Sequence, residues 1–304
     1  MRPGSAEVHR ICTWAGRGSP LATLDEVARS PLSLLGLAAG AATGAFAVWL
    51  VAFRIPAGRE LDGRVLETFT GVARPPLTPS IEGIAVLANP SPFMTIAAAI
   101  VCVALLRRRW LMAAVVPAIL LSANVVTQLL KPGLADLRIV PGVETSYPGS
   151  WPSGHATASM SLALCLVLVV GPRLRPLAAL VGATYAIAMG YALVVLGHHL
   201  PSDVFGGYLV AATFALLGTA ALAALEARRP AQAPRAANPP PALSAPALTA
   251  VAALVLAVAA VAVLVEAPGA PVNALQHPTA VLTAVGIAAL GLALTAGMAR
   301  LLRR

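Results

Sequence analysis

The chain alternates between long apolar runs and short polar stretches that carry most of its charges. A helix needs about 20 predominantly apolar residues to cross the ~30 Å hydrocarbon core of a bilayer. Eight runs reach or approach that length, with approximate limits 32–53, 89–106, 110–130, 156–171, 177–196, 204–225, 247–265 and 279–299. The pattern therefore predicts an all-α fold, a polytopic bundle of transmembrane helices.

The segment 54–88, between the first two spans, has a different pattern. Leu61, Val65, Leu66 and Phe69 recur among charged residues. This spacing favours a short amphipathic helix on the outer membrane surface, and an ordinary loop is the alternative.

A proline-rich stretch divides the chain. Residues 227–246 contain six prolines and few apolar side chains, which is typical of a semi-extended linker. We therefore expect four parts. They are a cytoplasmic amino-terminal segment at 1–30, a six-helix core at 31–226, a Pro/Ala-rich cytoplasmic linker at 227–246 and an appendix of two transmembrane helices at 247–304.

Composition supports a membrane protein. Of the 304 residues, 58% are hydrophobic and 11% are charged, which excludes an ordinary soluble or disordered chain. The low aromatic content of 5% argues against a porin-type barrel. A net charge of +9 would suggest nucleic-acid binding in a soluble protein. Here the arginines separate apolar runs, so we expect no nucleic-acid partner.

The basic residues segregate to one set of loops. Cytoplasmic loops of membrane proteins collect Lys and Arg. If the spans alternate in direction, fifteen of the 21 basic residues fall on one side and six on the other. The six are Arg54, Arg59, Arg64, Arg74, Lys131 and Arg138. We therefore expect an integral protein of a bacterial plasma membrane with both termini in the cytoplasm.

Three polar clusters fall at the outer ends of predicted spans. The first contains Lys131, the only lysine of the chain, and Arg138 seven residues later. Two cations on the outer side run against the orientation rule, so a bound anion is one explanation. Snorkelling of both side chains to lipid headgroups is an equal alternative.

The second cluster, Pro152-Ser153-Gly154-His155, begins the fourth span. Ser153 suits an N-cap, and Gly154 lets backbone N–H groups approach a ligand. Unpaired N–H groups and the helix dipole make such a helix start an anion site.

The third cluster, His199-Leu200-Pro201-Ser202-Asp203, opens the sixth span and gives a second helix start that points outward. With i, i+4 spacing, the Asp203 carboxylate can reach the His199 imidazole and fix its tautomer. A lone His-x3-Asp is more often a structural pair than a catalytic one.

Together the clusters resemble the three-part signature of the type 2 phosphatidic acid phosphatase (PAP2) superfamily of integral membrane lipid phosphatases. That signature reads K-x6-R-P, then P-S-G-H, then S-R-x5-H-x3-D. Lys131 and Arg138 fit the first part, although Ile139 replaces its proline, and the second part is complete. His199 and Asp203 fit the third part.

The resemblance implies phosphoryl transfer through a phosphohistidine, with no metal ion and no cofactor. His199 would be the nucleophile, Asp203 would orient it, and His155 would protonate the leaving oxygen and then activate water. The residues that would bind the substrate phosphate are Lys131, Arg138, Ser153 and Gly154. The implied substrate is a lipid phosphate of the polyprenyl diphosphate or phosphatidic acid class, met among membrane lipids at the extracytoplasmic face.

The third part of the signature lacks its Ser-Arg pair, which would fall at Ala192 and Leu193. One charge-stabilising donor is typically worth ~3 kcal/mol, roughly a hundredfold in rate. The absence of the arginine at Leu193 therefore predicts a slower enzyme unless another group substitutes, and His198 and Arg74 are the candidates.

Other functions compete with hydrolysis. A lipid phosphotransferase would pass the phosphoryl group to an acceptor other than water. A non-catalytic protein that binds lipid phosphates or scaffolds other membrane proteins would tolerate the loss of the arginine. A transporter is disfavoured, because the predicted span interiors hold no acidic or basic residue.

Overall fold

The structure of the protein is a computed structural model that describes residues 30–71, 78–134, 151–228 and 276–302. These residues form nine helices and no strand, so the all-α prediction is confirmed. The helices are α1 Pro31–Arg54, α2 Pro56–Thr70, α3 Thr78–Val86, α4 Pro90–Leu106, α5 Trp110–Leu134, α6 Gly154–Val169, α7 Arg175–Val195, α8 Pro201–Ala227 and α9 Pro278–Leu301.

Seven of the eight predicted spans coincide with a helix to within a few residues. Helices α1, α5, α7, α8 and α9 are each long and apolar enough to cross a membrane, and α3 and α4 form a further pair bent by 55°. The protein is therefore an integral membrane protein. The predicted span at 247–265 lies outside the described residues, together with 1–29 and most of the linker, so the proposed division of the chain stays a prediction.

The segment between the first two spans contains two helices where the sequence suggested one. The predicted amphipathic helix is α2, which buries Val65 and Leu66 completely but leaves Leu61 42% exposed. It also buries Asp62, and it packs on α7, α8 and α9 as well as on α1. Helix α2 is therefore part of the bundle rather than a helix that only rests on the membrane surface.

Helix α6 is the centre of the bundle. It is 16 residues long and is buried around nearly its whole circumference by α4, α5, α7, α8 and α9. Small and apolar side chains cover all of its faces, which is the composition expected of a helix surrounded by other helices. Contact with both α6 and α7 shows that α9, the last helix of the predicted appendix, packs directly on the core.

The beginning of α6 is held against α8 by a pair of glycines. A Cβ at Gly207 would lie 2.8 Å from the carbonyl oxygen of Ser153, and one at Gly206 would lie 2.6 Å from Nε1 of Trp151. The Ser153 N–H also donates to the backbone carbonyl of Asp203 at 3.0 Å. Only glycine permits this close backbone approach, which brings the second and third polar clusters together.

The opposite end of the bundle gathers arginines. The Arg175 guanidinium, at the start of α7, donates to the carbonyl oxygen of Leu302, just after α9. The Arg107 guanidinium, just after α4, packs against Gly171, just after α6. The ends of α4, α6 and α9 and the start of α7 therefore lie at one end, as spans of alternating direction require.

Candidate active site

A cavity of about 980 Å³ lies at the end of the bundle where α6 begins. Residues of α3 to α7 and of the connection between α7 and α8 line it. Its polar lining consists of Glu82, Asn89, Asn124, Gln128, Lys131, His155, His198 and His199. Much of the remaining wall is apolar, including Val86, Phe93 and Met94.

Four of the seven predicted site residues line this cavity, namely Lys131, Gly154, His155 and His199. Asp203 lies behind His199. Ser153 caps α6 next to the cavity, and Arg138 lies outside the described residues. Residues 68 positions apart in the sequence therefore meet in one place, and their chemical roles stay predictions.

His199 and Asp203 form the expected pair. The His199 Nδ1 atom lies 3.3 Å from Oδ2 of Asp203, whose side chain is fully buried. The same carboxylate oxygen accepts the Leu200 N–H at 3.1 Å, so the carboxylate is fixed in place. Because Nδ1 is turned to the carboxylate, Nε2 is the ring nitrogen left for a substrate.

The start of α6 has the features of an anion site. Ser153 is fully buried, and its Oγ accepts the Ala156 N–H at 3.3 Å, which confirms the predicted N-cap. A Cβ at Gly154 would lie 3.3 Å from Nε2 of Gln128 and 3.9 Å from Nζ of Lys131. The Lys131 ammonium group is therefore close to the positive end of the α6 dipole, and glycine leaves space between them.

The start of α8, the second predicted helix start, binds carboxylates of the protein itself. The Ser202 N–H donates to Oδ1 of Asp62 at 3.0 Å, and the Ser202 hydroxyl donates to Oδ2 at 2.5 Å. The Leu200 N–H is bound by Asp203. Carboxylates of the protein itself thus occupy this helix start, and of the two it is the start of α6 that lines the cavity.

His155 is held from a helix that carries none of the signature residues. Its Nε2 lies 3.1 Å from Oδ1 of Asn89, at the beginning of α4. His198, His199 and Lys131 line the same cavity as His155.

Leu193 lines the cavity at the position of the missing arginine, and its side chain is 1% exposed. Its carbonyl oxygen accepts the N–H groups of His198 at 3.0 Å and His199 at 3.2 Å. Of the two candidate substitutes, His198 lines the cavity and Arg74 lies outside the described residues. Burial lowers the pKa of His198 below its ordinary value of 6.5, the nearby His199 lowers it further, and Glu82 raises it.

Sequence reasoning missed Asn89, Asp62 and the glycine pair at 206 and 207. The glycines did give a usable signal, because small residues in an apolar span often mark a close helix contact. Asn89 precedes a proline at a helix start, which indicates an N-cap but not a partner in another helix. Asp62 gave no signal, since its partner Ser202 is 140 residues away.

Comparison with known proteins identifies the family and a similar fold. The sequence profile of the PAP2 superfamily matches residues 38–227, a range that extends from α1 to the end of α8. No curated protein matches the chain. The fold is similar to the crystal structure of a transmembrane PAP2 type phosphatidylglycerolphosphate phosphatase from Bacillus subtilis, at a TM-score of 0.51 and 19% sequence identity, covering 66% of this chain and 98% of that chain. Because the profile matches well over half of its length, the chain belongs to the PAP2 superfamily.

Proposed function

We propose that the protein is a membrane lipid phosphatase that hydrolyses a phosphomonoester or diphosphate headgroup at the extracytoplasmic face. Membership of the PAP2 superfamily and the fold support a phosphatase-type membrane enzyme. The observation that carries the proposal is the cavity in which Lys131, His155 and His199 meet the start of α6.

In the first step, the Nε2 lone pair of His199 attacks phosphorus, and the bond from phosphorus to the leaving oxygen breaks. His155 gives its proton to that oxygen. The imidazole of His199 becomes positively charged as the phosphohistidine forms, and the Asp203 carboxylate at 3.3 Å stabilises this charge.

In the second step, water attacks the phosphohistidine, and His155 accepts the proton that the water loses. The bond between phosphorus and Nε2 breaks, inorganic phosphate leaves, and His199 returns to its neutral form. Neither step requires a metal ion, so a chelator is expected to leave the rate unchanged.

Charge stabilisation of the phosphoryl group comes from groups around the start of α6. Of the proposed donors, Lys131 and Gly154 line the cavity. Arg138 and the Ser153 hydroxyl complete the proposed set. Catalysis of phosphoryl transfer is mainly positioning and charge stabilisation, so such a set is what the reaction needs.

The lining of the cavity favours a lipid phosphate. Cationic and imidazole groups surround one part, while Val86, Phe93 and Met94 offer an apolar wall to a hydrocarbon chain. Polyprenyl diphosphate and phosphatidic acid are the first substrates to test. Phosphatidylglycerolphosphate is the third, because the similar Bacillus subtilis structure is that of a phosphatase for it.

The test compares phosphate release by the purified wild type and by His199→Ala with each of the three lipids. Removal of the nucleophile is expected to lower the turnover number by about a thousandfold or more. His277→Ala is the matched control, because His277 precedes α9 outside the cavity and should leave turnover unchanged. Equal rates for wild type and His199→Ala, or no release from any lipid, would contradict the proposal.

The same assay separates the two rival functions. A phosphotransferase would turn over only when an acceptor lipid or sugar is added. A non-catalytic lipid-phosphate binder, which the aliphatic Leu193 would suit, would bind the lipids without releasing phosphate.

A further inference from the structure

The side chain of Asn89 does not cap the helix at whose start it lies. Asn89 is the N-cap residue of α4, where an asparagine oxygen normally accepts an N–H of the first helical turn. Here the side chain makes no capping bond. Its Oδ1 lies instead 3.1 Å from Nε2 of His155, and Asn89 lines the cavity.

The sequence after Asn89 explains why α4 tolerates this arrangement. Pro90 and Pro92 occupy the first and third helical positions, and proline has no N–H to be capped. Among these three positions only Ser91 has an N–H. A helix start with so few unpaired donors gains little from a side-chain cap, so the asparagine can serve another group.

We propose that Asn89 is a positioning residue that accepts the Nε2–H of His155, so that Nδ1 is the nitrogen that exchanges a proton during catalysis. The inference rests on the proposed function. In the first step Nδ1–H protonates the leaving oxygen, and in the second step the Nδ1 lone pair takes a proton from water. The Nε2–H bond to Asn89 stays in place through both steps.

The two histidines have different tasks in the proposed reaction, and the partner of each one suits its task. His199 must carry a positive charge while it is phosphorylated, and the negative Asp203 stabilises that charge. His155 must release its proton and then take one back, so a partner that held the cation strongly would slow it. The neutral Asn89 carbonyl orients the ring without adding a charge.

The groups around His155 also help it to release its proton when its hydrogen-bond partner is neutral. His198 and His199, in the connection before α8, and Lys131, on α5, line the same cavity as His155. Each of these groups, when protonated, disfavours the charged form of His155. Glu82 of α3 is the acidic side chain that lines the cavity, and its electrostatic interaction is with His198.

Steady-state kinetics of Asn89→Ala and Asn89→Asp test the inference. We expect Asn89→Ala to lower kcat about tenfold or more, with KM changed by less than about twofold, because ring orientation and not phosphate binding is lost. The isosteric Asn89→Asp should keep the ring in place but stabilise its charged form. It should move the alkaline limb of the pH profile of kcat/KM upward by about one pH unit or more.

Ser91→Ala is the matched control, because Ser91 is an exposed polar residue of the same helix start. It should keep the wild-type kcat and pH profile. Gel filtration and thermal unfolding in detergent show whether Asn89→Ala folds. If it does not, the pH profile of the isosteric Asn89→Asp still tests the inference. Wild-type kinetics in both Asn89 variants, with His155→Ala and His199→Ala inactive, would overturn the inference alone. Full activity of His199→Ala would instead refute the proposed function.

A spectroscopic measurement addresses the tautomer without turnover. In protein labelled with ¹⁵N-histidine, His155→Ala identifies the resonances of His155. At a pH where His155 is neutral, the wild type should show the tautomer protonated at Nε2, and Asn89→Ala should show a mixture. A wild-type ring protonated at Nδ1, or an unchanged tautomer in Asn89→Ala, would overturn the inference.

Discussion

Leu193 is the residue that most changes the chemistry expected of the site. It lines the cavity with an aliphatic side chain, while its backbone carbonyl fixes the amides of His198 and His199. A leucine cannot neutralise phosphate, so another group has to supply the charge of the absent arginine or the reaction is slower. Of the two candidates to replace it, His198 lines the same cavity.

The pH dependence of His198→Ala tests this substitution. The lowered pKa of His198 leaves it neutral at pH 8 and lets it become a cation only in acid. If the cation binds substrate phosphate, the ratio of kcat/KM between wild type and His198→Ala should rise as the pH falls from 8 to 5.5, by about tenfold. Using a ratio cancels the titration of groups that both proteins share.

His277→Ala serves as the control for this profile, because it removes an exposed histidine outside the cavity. Its ratio to wild type should stay near one at every pH. A ratio for His198→Ala that does not change with pH would show that His198 does not replace the arginine.

The signature residues of the site could be predicted because fixed short spacings define them, and Lys131, His155 and His199 do meet in one cavity. The side chains that hold these residues in place could not be predicted in this way. Asn89 lies 66 residues before His155, and its contact depends on how α4 packs beside α6. No pattern along the chain encodes that packing.

Among the helices, α2 and α8 are joined by a buried polar contact beside the site. Asp62 and Ser202 are each 8% exposed, and two hydrogen bonds connect them. The contact gives the start of α8 a negative charge, which the helix dipole favours. Since Asp203 lies one residue after Ser202, α2 fixes the helix turn that holds His199.

Asp62→Ala is expected to destabilise the protein by about 1 to 3 kcal/mol, because both Ser202 donors lose this buried acceptor. It should also lower kcat, since the turn with Asp203 loosens. Chemical or thermal unfolding in detergent, with the phosphate assay, measures both effects. Glu67→Ala removes an exposed carboxylate from the same helix and should change the free energy of unfolding by less than about 0.5 kcal/mol. Equal stability of the two variants would show that the contact contributes nothing.

Long apolar runs made most of the helices predictable, and an exception is α3, the first helix of the bent pair. Helix α3 has nine residues, Thr78–Val86, too few to show a period or to span a bilayer. Its 55° angle to α4 arises at the break that ends in Asn89 and Pro90. A proline marks where a helix begins, but it does not specify the direction of the preceding one.

For the whole molecule, the alternation of directions on which the charge count depends agrees with the two ends seen in the bundle. Arg107 and Arg175 lie at one end, and the cavity lies at the other. Which end faces the cytoplasm is a property of the membrane, so it remains a prediction from the distribution of arginine and lysine.

Cysteine labelling in intact bacterial cells tests that prediction. The starting protein has serine in place of Cys12, Cys102 and Cys165. A membrane-impermeant maleimide should label Glu67→Cys, on the exposed face of α2, in intact cells. It should label Arg173→Cys, between α6 and α7, only after the cells are permeabilised. The reverse pattern would place the cavity on the cytoplasmic side.

The shortness of α6 sets the depth at which a lipid would react. Sixteen residues span about 24 Å, less than the ~30 Å of a hydrocarbon core. The Arg107 guanidinium, just after α4, packs against Gly171, just after α6, so these two helices end near each other. If both ends reach the same membrane boundary, the shortfall lies at the start of α6, which carries His155. A phosphate bound there would lie in a polar cavity below the level of the lipid headgroups. The hydrocarbon chain of the substrate could then remain among the membrane lipids while the bond between phosphorus and the leaving oxygen breaks.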